Sequence, residues 1–576
     1  DPYLTSVLGV EAVRGNQEDP RPAIDSLLGT PSRADGTRAR PGGPVFVAAT
    51  GKHYLGYSMP LSGKDRTTAW IPDRMLREIF LPPFREAVRA GARTIMVNSG
   101  DINGVPVHAN KAILTDLLRG ELGFTGVIDS DWEDIKRLHT VHRVAASNKD
   151  AVRMAVMAGI DMSMVPLDFT FTDDLIALVK EGQVPPSRID EAVRRILTLK
   201  LELGLFEHAL GEPSMIAHVG AAPFQAVSRA SAREAVTLLE NKGDLLPLAR
   251  GTRVLVTGPT ATSVPALHGG WTYTWQGQDA AMYPRGVKTL LDAVREKVGA
   301  SRVWHVPGAT LTETLEVQAA VAAAREVDVV VLALGEGAYA ETPGNIDDLA
   351  LPPAQFRLAR ALAATGKPIV LVLLHGRPRI VRDAVDGARA VVTAYQPGPY
   401  GGEAIADVLF GDVNPSGRLP FTWPRHPGAI LIQYDRARPA DIGGADTTMV
   451  GYAPEWPFGH GLSYTRFTYD GLRVLTPQLG RTDSLRVSVR VTNSGAREGA
   501  EVVQLYTRQH YASVDPAVRR LRRFEKIVLA PRASRTVTFT LPANELAFVG
   551  RDLQSTLEAG RFDVLVGTLR GTFELR

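Results

Sequence analysis

The 576-residue chain contains no cysteine. That excludes disulfide staples, thiolate metal sites and cysteine nucleophiles, and it is compatible with export as well as with the cytosol. Long apolar runs are also missing: stretches such as 329–334 and 369–374 are strand-sized, far short of the roughly 20 residues a membrane helix needs. No membrane partner is expected. Neither sign of charge dominates, because 65 basic and 62 acidic residues are interspersed for a net +3. No nucleic-acid partner is expected either, since no single-sign field is present to draw one. No signal-peptide pattern opens the chain, which starts Asp1-Pro2-Tyr3 and runs into a helix-like segment at 4–15.

What is present is apolar content of 44% over a length that predicts three or four domains. Residues 1–205 alternate strand-like and helix-like segments. Strands are expected at 44–50, 94–98, 127–130 and 160–164, and helices at 73–90, 111–121, 149–158 and 187–203. Such a repeat builds a parallel sheet, and four units are half of an eight-stranded (β/α) barrel, which typically takes about 250 residues. The expectation is therefore the C-terminal part of a barrel whose intact polypeptide begins before Asp1.

A linker and helix follow at 206–251, with the helix at 224–239. Residues 252–425 alternate again, with strands at 254–257, 303–306, 328–334, 368–374 and 390–394, and read as a complete α/β layer domain. A Pro- and Gly-rich connecting segment, 426–465, leads into 466–576, where short alternating strands predict a β-sandwich.

The chemistry gathers at the stretch Gly126-Val-Ile-Asp-Ser-Asp-Trp-Glu-Asp134. A short β-branched strand ends there in carboxylates, at the end of a barrel strand where active sites lie. Helix capping and loop solubility explain most such aspartates, and both readings stay open on this stretch alone. Glycoside hydrolysis needs two carboxyl groups, one to attack or activate water and one to protonate the leaving oxygen. Asp131 is the first candidate. The second lies in the loop Gly335-Glu-Gly-Ala-Tyr-Ala-Glu341-Thr-Pro-Gly344, where Glu341 has Glu336 as its nearest rival. That loop imitates a dinucleotide-binding turn, but Pro343 and Gly344 prolong it where a helix must begin. His139 and His142, at helical spacing, lack a third ligand for a metal and read as a solvated helix face. Trp271, Tyr273 and Trp275 alternate after Gly269-Gly270, which suggests an exposed loop.

Taken in order, Lys52-His53-Tyr54, Phe80-Leu-Pro-Pro-Phe84, Ser130-Asp-Trp-Glu133, Ala158-Gly-Ile-Asp-Met162, Gly269-Gly-Trp271, Tyr339-Ala-Glu-Thr342, Asn414-Pro-Ser-Gly-Arg-Leu-Pro420, Phe458-Gly-His-Gly-Leu-Ser-Tyr464 and Gly499-Ala-Glu-Val-Val-Gln-Leu-Tyr506 run through almost the whole chain. In this order they resemble glycoside hydrolase family 3, of the three-domain β-glucosidase type. The resemblance implies a (β/α) barrel, an α/β sandwich domain and a fibronectin type III-like domain. It also implies a retaining, exo-acting β-glucosidase needing no metal or organic cofactor, with a β-glucoside or oligosaccharide as substrate. By resemblance Asp131 is the nucleophile and Glu341 the acid/base. Lys52 and His53 bind hydroxyls of the terminal sugar, Trp132 and Trp271 stack on the sugar beyond the scissile bond, and Arg137 lies nearby. Ser99 stands where many members carry a tyrosine, and Asp129 where an apolar residue is usual. Periplasmic or secreted location is the family-level expectation, and a homodimer is compatible with it. A β-xylosidase on the same scaffold, or a carbohydrate-binding relative without turnover, are the alternatives.

Overall fold

The computed structural model describes residues 1–18, 46–211, 213–429, 433–437 and 453–576. Two compact units make up the chain: residues 1–223 with 549–555, and residues 224–548 with 556–576. The first holds a parallel sheet in the order β1 (Thr50–Tyr54), β2 (Thr94–Val97), β3 (Val127–Asp129). One face is apolar: Ile95, Val97 and Ile128 are buried in a core with Leu81, Leu114, Leu118 and Val152. The helices supplying that core include α1 (Leu81–Arg89), α2 (Ala112–Glu121, wound in wide π turns), α3 (Asp134–Thr140), α4 (Asn148–Ala158) and α5 (Pro186–Glu202). Ser147 caps α4 by accepting from the Asp150 amide.

Two strand expectations are corrected. The first strand was expected at 44–50 and begins only at Thr50, which pairs with Thr94 while Gly51 pairs with Ile95. Packing fixes this register, because a Cβ on Gly51 would press on the Ile95 side chain. Lys52 and His53 therefore lie inside the strand; residues 44 and 45 fall outside the described part. The fourth expected strand, 160–164, contracts to a single parallel bridge between Asp129 and Met162. Asp161 turns its carboxylate onto three guanidiniums, and Pro166 further on has no N–H with which to prolong a ladder.

In the second unit a six-stranded sheet runs β4 (Thr237–Asn241), β9 (Ala390–Tyr395), β8 (Ile369–Leu374), β7 (Val329–Gly335), β5 (Val254–Thr257), β6 (Val303–Val306). Every residue of β7 and β8 is buried, as central parallel strands covered on both faces require. Helices α7 (Leu290–Val298) and α10 (Gly401–Leu409) pack on one face, α8 (Val317–Arg325) and α9 (Pro353–Ala363) on the other. A capping box between Thr289 and Asp292 starts α7. The helix expected over 224–239 stops early: α6 spans Ala222–Ala235, and Thr237–Asn241 is instead an antiparallel strand against β9. Burial of Thr237, Leu238 and Leu239 on the otherwise free edge of β9 outweighs the helical pattern.

Beyond a connecting segment, part of which lies outside the described residues, comes a β-sandwich. A three-stranded sheet, β10 (Phe467–Val474), β11 (Ser484–Asn493) and β14 (Ser534–Pro542), shares one core with a second sheet built on β12 (Gly499–Gln509), β13 (Arg520–Leu529), β15 (Gly560–Val566) and β16 (Leu569–Leu575). The alternation in β11, which buries Leu485, Val487, Val489 and Val491, is the period-two pattern of a sandwich strand. Among the described residues no helix is long and apolar enough to cross a membrane.

Candidate active site

Asp131 lies two residues past the end of β3, and the backbone around it is closely held. The Ser130 amide donates to the Met162 carbonyl at 3.0 Å, the Met164 amide to Ser130 Oγ at 2.8 Å and the Glu133 amide to the Met164 carbonyl at 2.9 Å. Glu133, at φ 58°, makes the turn into α3. The carboxylate itself is buried and well supplied with donors. The Trp132 amide donates to Oδ1 at 2.6 Å, and Ser99 Oγ to Oδ2 at 2.8 Å. His53 Nε2 lies 3.4 Å from Oδ2 and Arg66 Nη2 3.5 Å. Burial alone would raise the pKa of Asp131, but the Trp132 amide, the Ser99 hydroxyl, Arg66 and His53 outweigh it and hold the carboxyl below its ordinary range. The result is an ionised, positioned carboxylate.

The neighbours have the opposite character. Asp129, on the same strand face, is pushed up to about 7 by burial, and the charge of Asp131 adds to the effect. Its Oδ1 is buried without a hydrogen-bond partner. Asp134 is raised to about 6, also chiefly by burial. His53 stacks on Tyr57 at 4.4 Å, and burial lowers its pKa, so its ring is neutral at neutral pH. His108 is fully buried and lowered to about 3 by that burial; its Nε2 accepts from the Asp131 amide at 3.3 Å.

In the second unit the strand order β6-β5-β7-β8-β9 reverses direction between β5 and β7. Loops leaving the carboxyl ends of strands at such a reversal form the usual ligand crevice of an open α/β sheet. The loop after β5 carries Trp271, and the loop after β7 carries Glu341. They are fastened together: Gln276 Nε2 donates to the Ala340 carbonyl at 3.0 Å, and the Ala340 amide to Gln276 Oε1 at 3.1 Å. Gly270 permits the close approach, because a Cβ there would collide with the Tyr339 carbonyl. Glu341 has φ 52°, a conformation seldom taken by a side-chain-bearing residue and concentrated at functional sites. Its rival Glu336 is buried and clamped by Arg379 Nη1 at 2.5 Å and Arg377 Nε at 3.1 Å. Arg377 in turn lies over the Tyr339 ring at 3.9 Å.

Comparison with known proteins fits this layout. Residues 1–199 match the profile of the glycosyl hydrolase family 3 N terminal domain, 236–464 that of the family 3 C-terminal domain, and 501–569 that of a fibronectin type III-like domain. A lysosomal beta glucosidase of Dictyostelium discoideum is 43% identical over 98% of this chain and 69% of its own length. The chain belongs to glycosyl hydrolase family 3. A beta-xylosidase of Formosa agariphila is 34% identical over 98% of the chain and 78% of that protein. The crystal structure of a beta-glucosidase from Listeria innocua in complex with glucose superposes with a TM-score of 0.87 at 32% identity, covering all of this family 3 chain and 78% of the other.

Within this family 3 framework the first unit brings Asp131, His53 and Ser99 into direct contact. Trp132 follows the carboxylate and is 52% exposed, free to offer a ring face. Arg137 pairs with Asp134 at 3.4 Å rather than with Asp131. Arg66 Nη2 is a cation 3.5 Å from the Asp131 carboxylate, and the charge of Lys52 acts on His53 and Asp129. Arg66, His108 and Gln276 were not anticipated. Only the Lys64-Asp65-Arg66 run in a loop hinted at the first, and no spacing rule points to the other two.

Proposed function

We propose that this chain is a retaining, exo-acting β-glucosidase that removes glucose from non-reducing ends, with Asp131 as nucleophile and Glu341 as acid/base. The observation carrying the reading is the buried carboxylate of Asp131, kept ionised by the Trp132 amide, Ser99 and Arg66. In the first step Asp131 attacks the anomeric carbon while Glu341 gives its proton to the departing glycosidic oxygen, leaving a glycosyl ester on Asp131. In the second, Glu341 removes a proton from water, which attacks the same carbon and releases sugar with the original configuration. The neutral His53 ring and the Lys52 ammonium supply hydrogen bonds to the sugar's hydroxyls, and Trp132 and Trp271 stack on the portion beyond the scissile bond.

Xylose in place of glucose is the second reading, favoured by the 34% identity to a beta-xylosidase. We place the activity outside the cytosol, in the periplasm or secreted, in keeping with a 33% identical relative from Salmonella typhimurium named a periplasmic beta-glucosidase.

The test is hydrolysis of aryl β-glucosides and β-xylosides by the parent, Asp131→Asn and Glu341→Gln. Asp131→Asn is expected to lose turnover on all substrates. Glu341→Gln should lose far more on poor leaving groups than on 2,4-dinitrophenolate, which needs no proton. A 2-deoxy-2-fluoro glucoside should leave its mass on the peptide containing Asp131. A label on another carboxylate, or equal losses for good and poor leaving groups in Glu341→Gln, refutes the assignment.

A further inference from the structure

The loop that carries Trp271 presents two more rings that the assigned roles leave unused. Tyr273 is 59% exposed and Trp275 47%, beside Trp271 at 65%. Large apolar side chains exposed together mark an interaction site more often than chance. The backbone holds them there under strain: Trp271 and Tyr273 have φ 57° and 59°, conformations that bulky residues rarely adopt. The turn is closed by a hydrogen bond from the Trp271 amide to the Trp275 carbonyl at 2.8 Å and a bridge between Thr272 and Thr274. The rings are tilted, not stacked, with Trp271 and Trp275 6.5 Å apart at 54°. Tyr273 meets Tyr283 edge-on at 5.2 Å, and the Tyr283 hydroxyl donates to the Gly277 carbonyl at 2.7 Å.

The chemistry of the loop is one-sided. Between His268 and Asp279 there is no charged side chain. Its amides are engaged: Gln276 holds Ala340 in both directions, and Gln278 Nε2 donates to the Ala338 carbonyl at 3.2 Å. Thr274 Oγ1 accepts from the Gly277 amide at 3.1 Å. A sugar needs donors and acceptors around its rim, whereas this loop offers π faces. A flat aromatic group is the ligand that loses least on leaving water and gains most from such faces.

We propose that Tyr273 and Trp275 extend the site into a platform for planar aromatic aglycones, so that the preferred substrates are aryl β-glycosides rather than oligosaccharides. This rests on the assignment of Glu341 as acid/base. The glycosidic oxygen that Glu341 protonates is the aglycone's own, and the platform is fastened by Gln276 to Ala340, the residue preceding Glu341.

The test compares kcat/KM for 4-methylumbelliferyl β-glucoside and for cellobiose in the parent, Tyr273→Ala, Trp275→Ala and Trp275→Phe. The aryl-to-cellobiose ratio is expected to fall about two- to tenfold in each alanine variant, the size of a lost aromatic pair, and to be largely restored by phenylalanine. An unchanged ratio in folded alanine variants overturns the proposal. A second measurement needs no turnover: titration of tryptophan fluorescence with phenyl and methyl 1-thio-β-glucosides. Tighter binding of the phenyl compound, lost in both alanine variants, supports the platform even where a parent that cleaves neither substrate would overturn the glycosidase reading. Equal binding of the two thioglucosides, or light scattering showing a dimer that these variants dissociate, overturns it.

Discussion

Ser99→Ala is the perturbation whose outcome the structure fixes most closely. The Ser99 hydroxyl is buried and donates to Asp131 Oδ2 at 2.8 Å. A hydrogen bond to a charged group contributes about 1.5–3 kcal/mol, and one pKa unit corresponds to about 1.4 kcal/mol. Removing it stabilises the protonated form of Asp131 relative to the ionised one by that amount, so its pKa rises by about 1 to 2 units. The Trp132 amide, Arg66 and His53 remain, and they keep the carboxylate from being orphaned. On the proposed assignment of Asp131 as nucleophile, the acid limb of kcat/KM reports its ionisation in the free enzyme and is expected to move to higher pH by the same 1 to 2 units. Stability moves with it. A depressed carboxyl stabilises the fold above its unfolded pKa and ceases to as pH falls through the folded value, so the variant loses stability at neutral pH and little in acid. The assay is a kcat/KM profile on an aryl β-glucoside from acid to mild alkali, with Ser99→Thr as the hydroxyl-retaining control. A lowered plateau with an unmoved acid limb would refute the electrostatic account and leave Ser99 a packing residue.

Asp129→Asn tests the raised neighbour. The unfolded chain releases this proton in the ordinary carboxylate range while the fold retains it to about 7, so stability present in acid is lost as pH rises between those limits and is level above. The variant should lose up to about 4 kcal/mol of that pH dependence, read as a smaller fall in Tm between pH 5 and pH 8. Asp134, raised to about 6, leaves a residual slope; identical slopes in parent and variant would show that Asp129 ionises normally. Asp161→Asn should destabilise by about 3–5 kcal/mol in urea unfolding. The fully buried Asp161 carboxylate is shared by Arg119, Arg188 and Arg195 and also accepts from the Ile128 amide of β3. A loss under 1 kcal/mol would mean that this cluster is dispensable.

Much of the scaffold was legible because its strands are bounded by strong local signals. The strands β5, buried throughout, and β6, half-buried, fall on the residues that periodicity gives, 254–257 and 303–306. The sandwich strand β11 keeps its alternation along its whole length. The errors lie where long-range pairing overrides local pattern. Residues 44–50 are the more β-branched stretch, yet Gly51 sets the strand that forms. Residues 237–239 continue a helical pattern, yet the edge of β9 takes them. Among the candidate residues, Asp131, His53 and Glu341 stand out in the sequence because their neighbours are distinctive. Arg66 reaches Asp131 from 65 positions away in a loop with no periodic signature, and a contact of that kind is a property of the fold alone.

The strand β4 bears on any attempt to take the molecule apart. It lies upstream of β5 and runs antiparallel to the rest of its sheet, pairing Thr237 with Thr393 and Asn241 with Ala390. A fragment begun at residue 252 would strip that pairing and bare the backbone donors and acceptors along β9, an open template for self-association. The α/β layer is therefore not a cassette to be excised at its first parallel strand. A soluble fragment has to start ahead of Thr237, and one cut later should be rescued by a synthetic peptide spanning 236–242, captured as a donated strand.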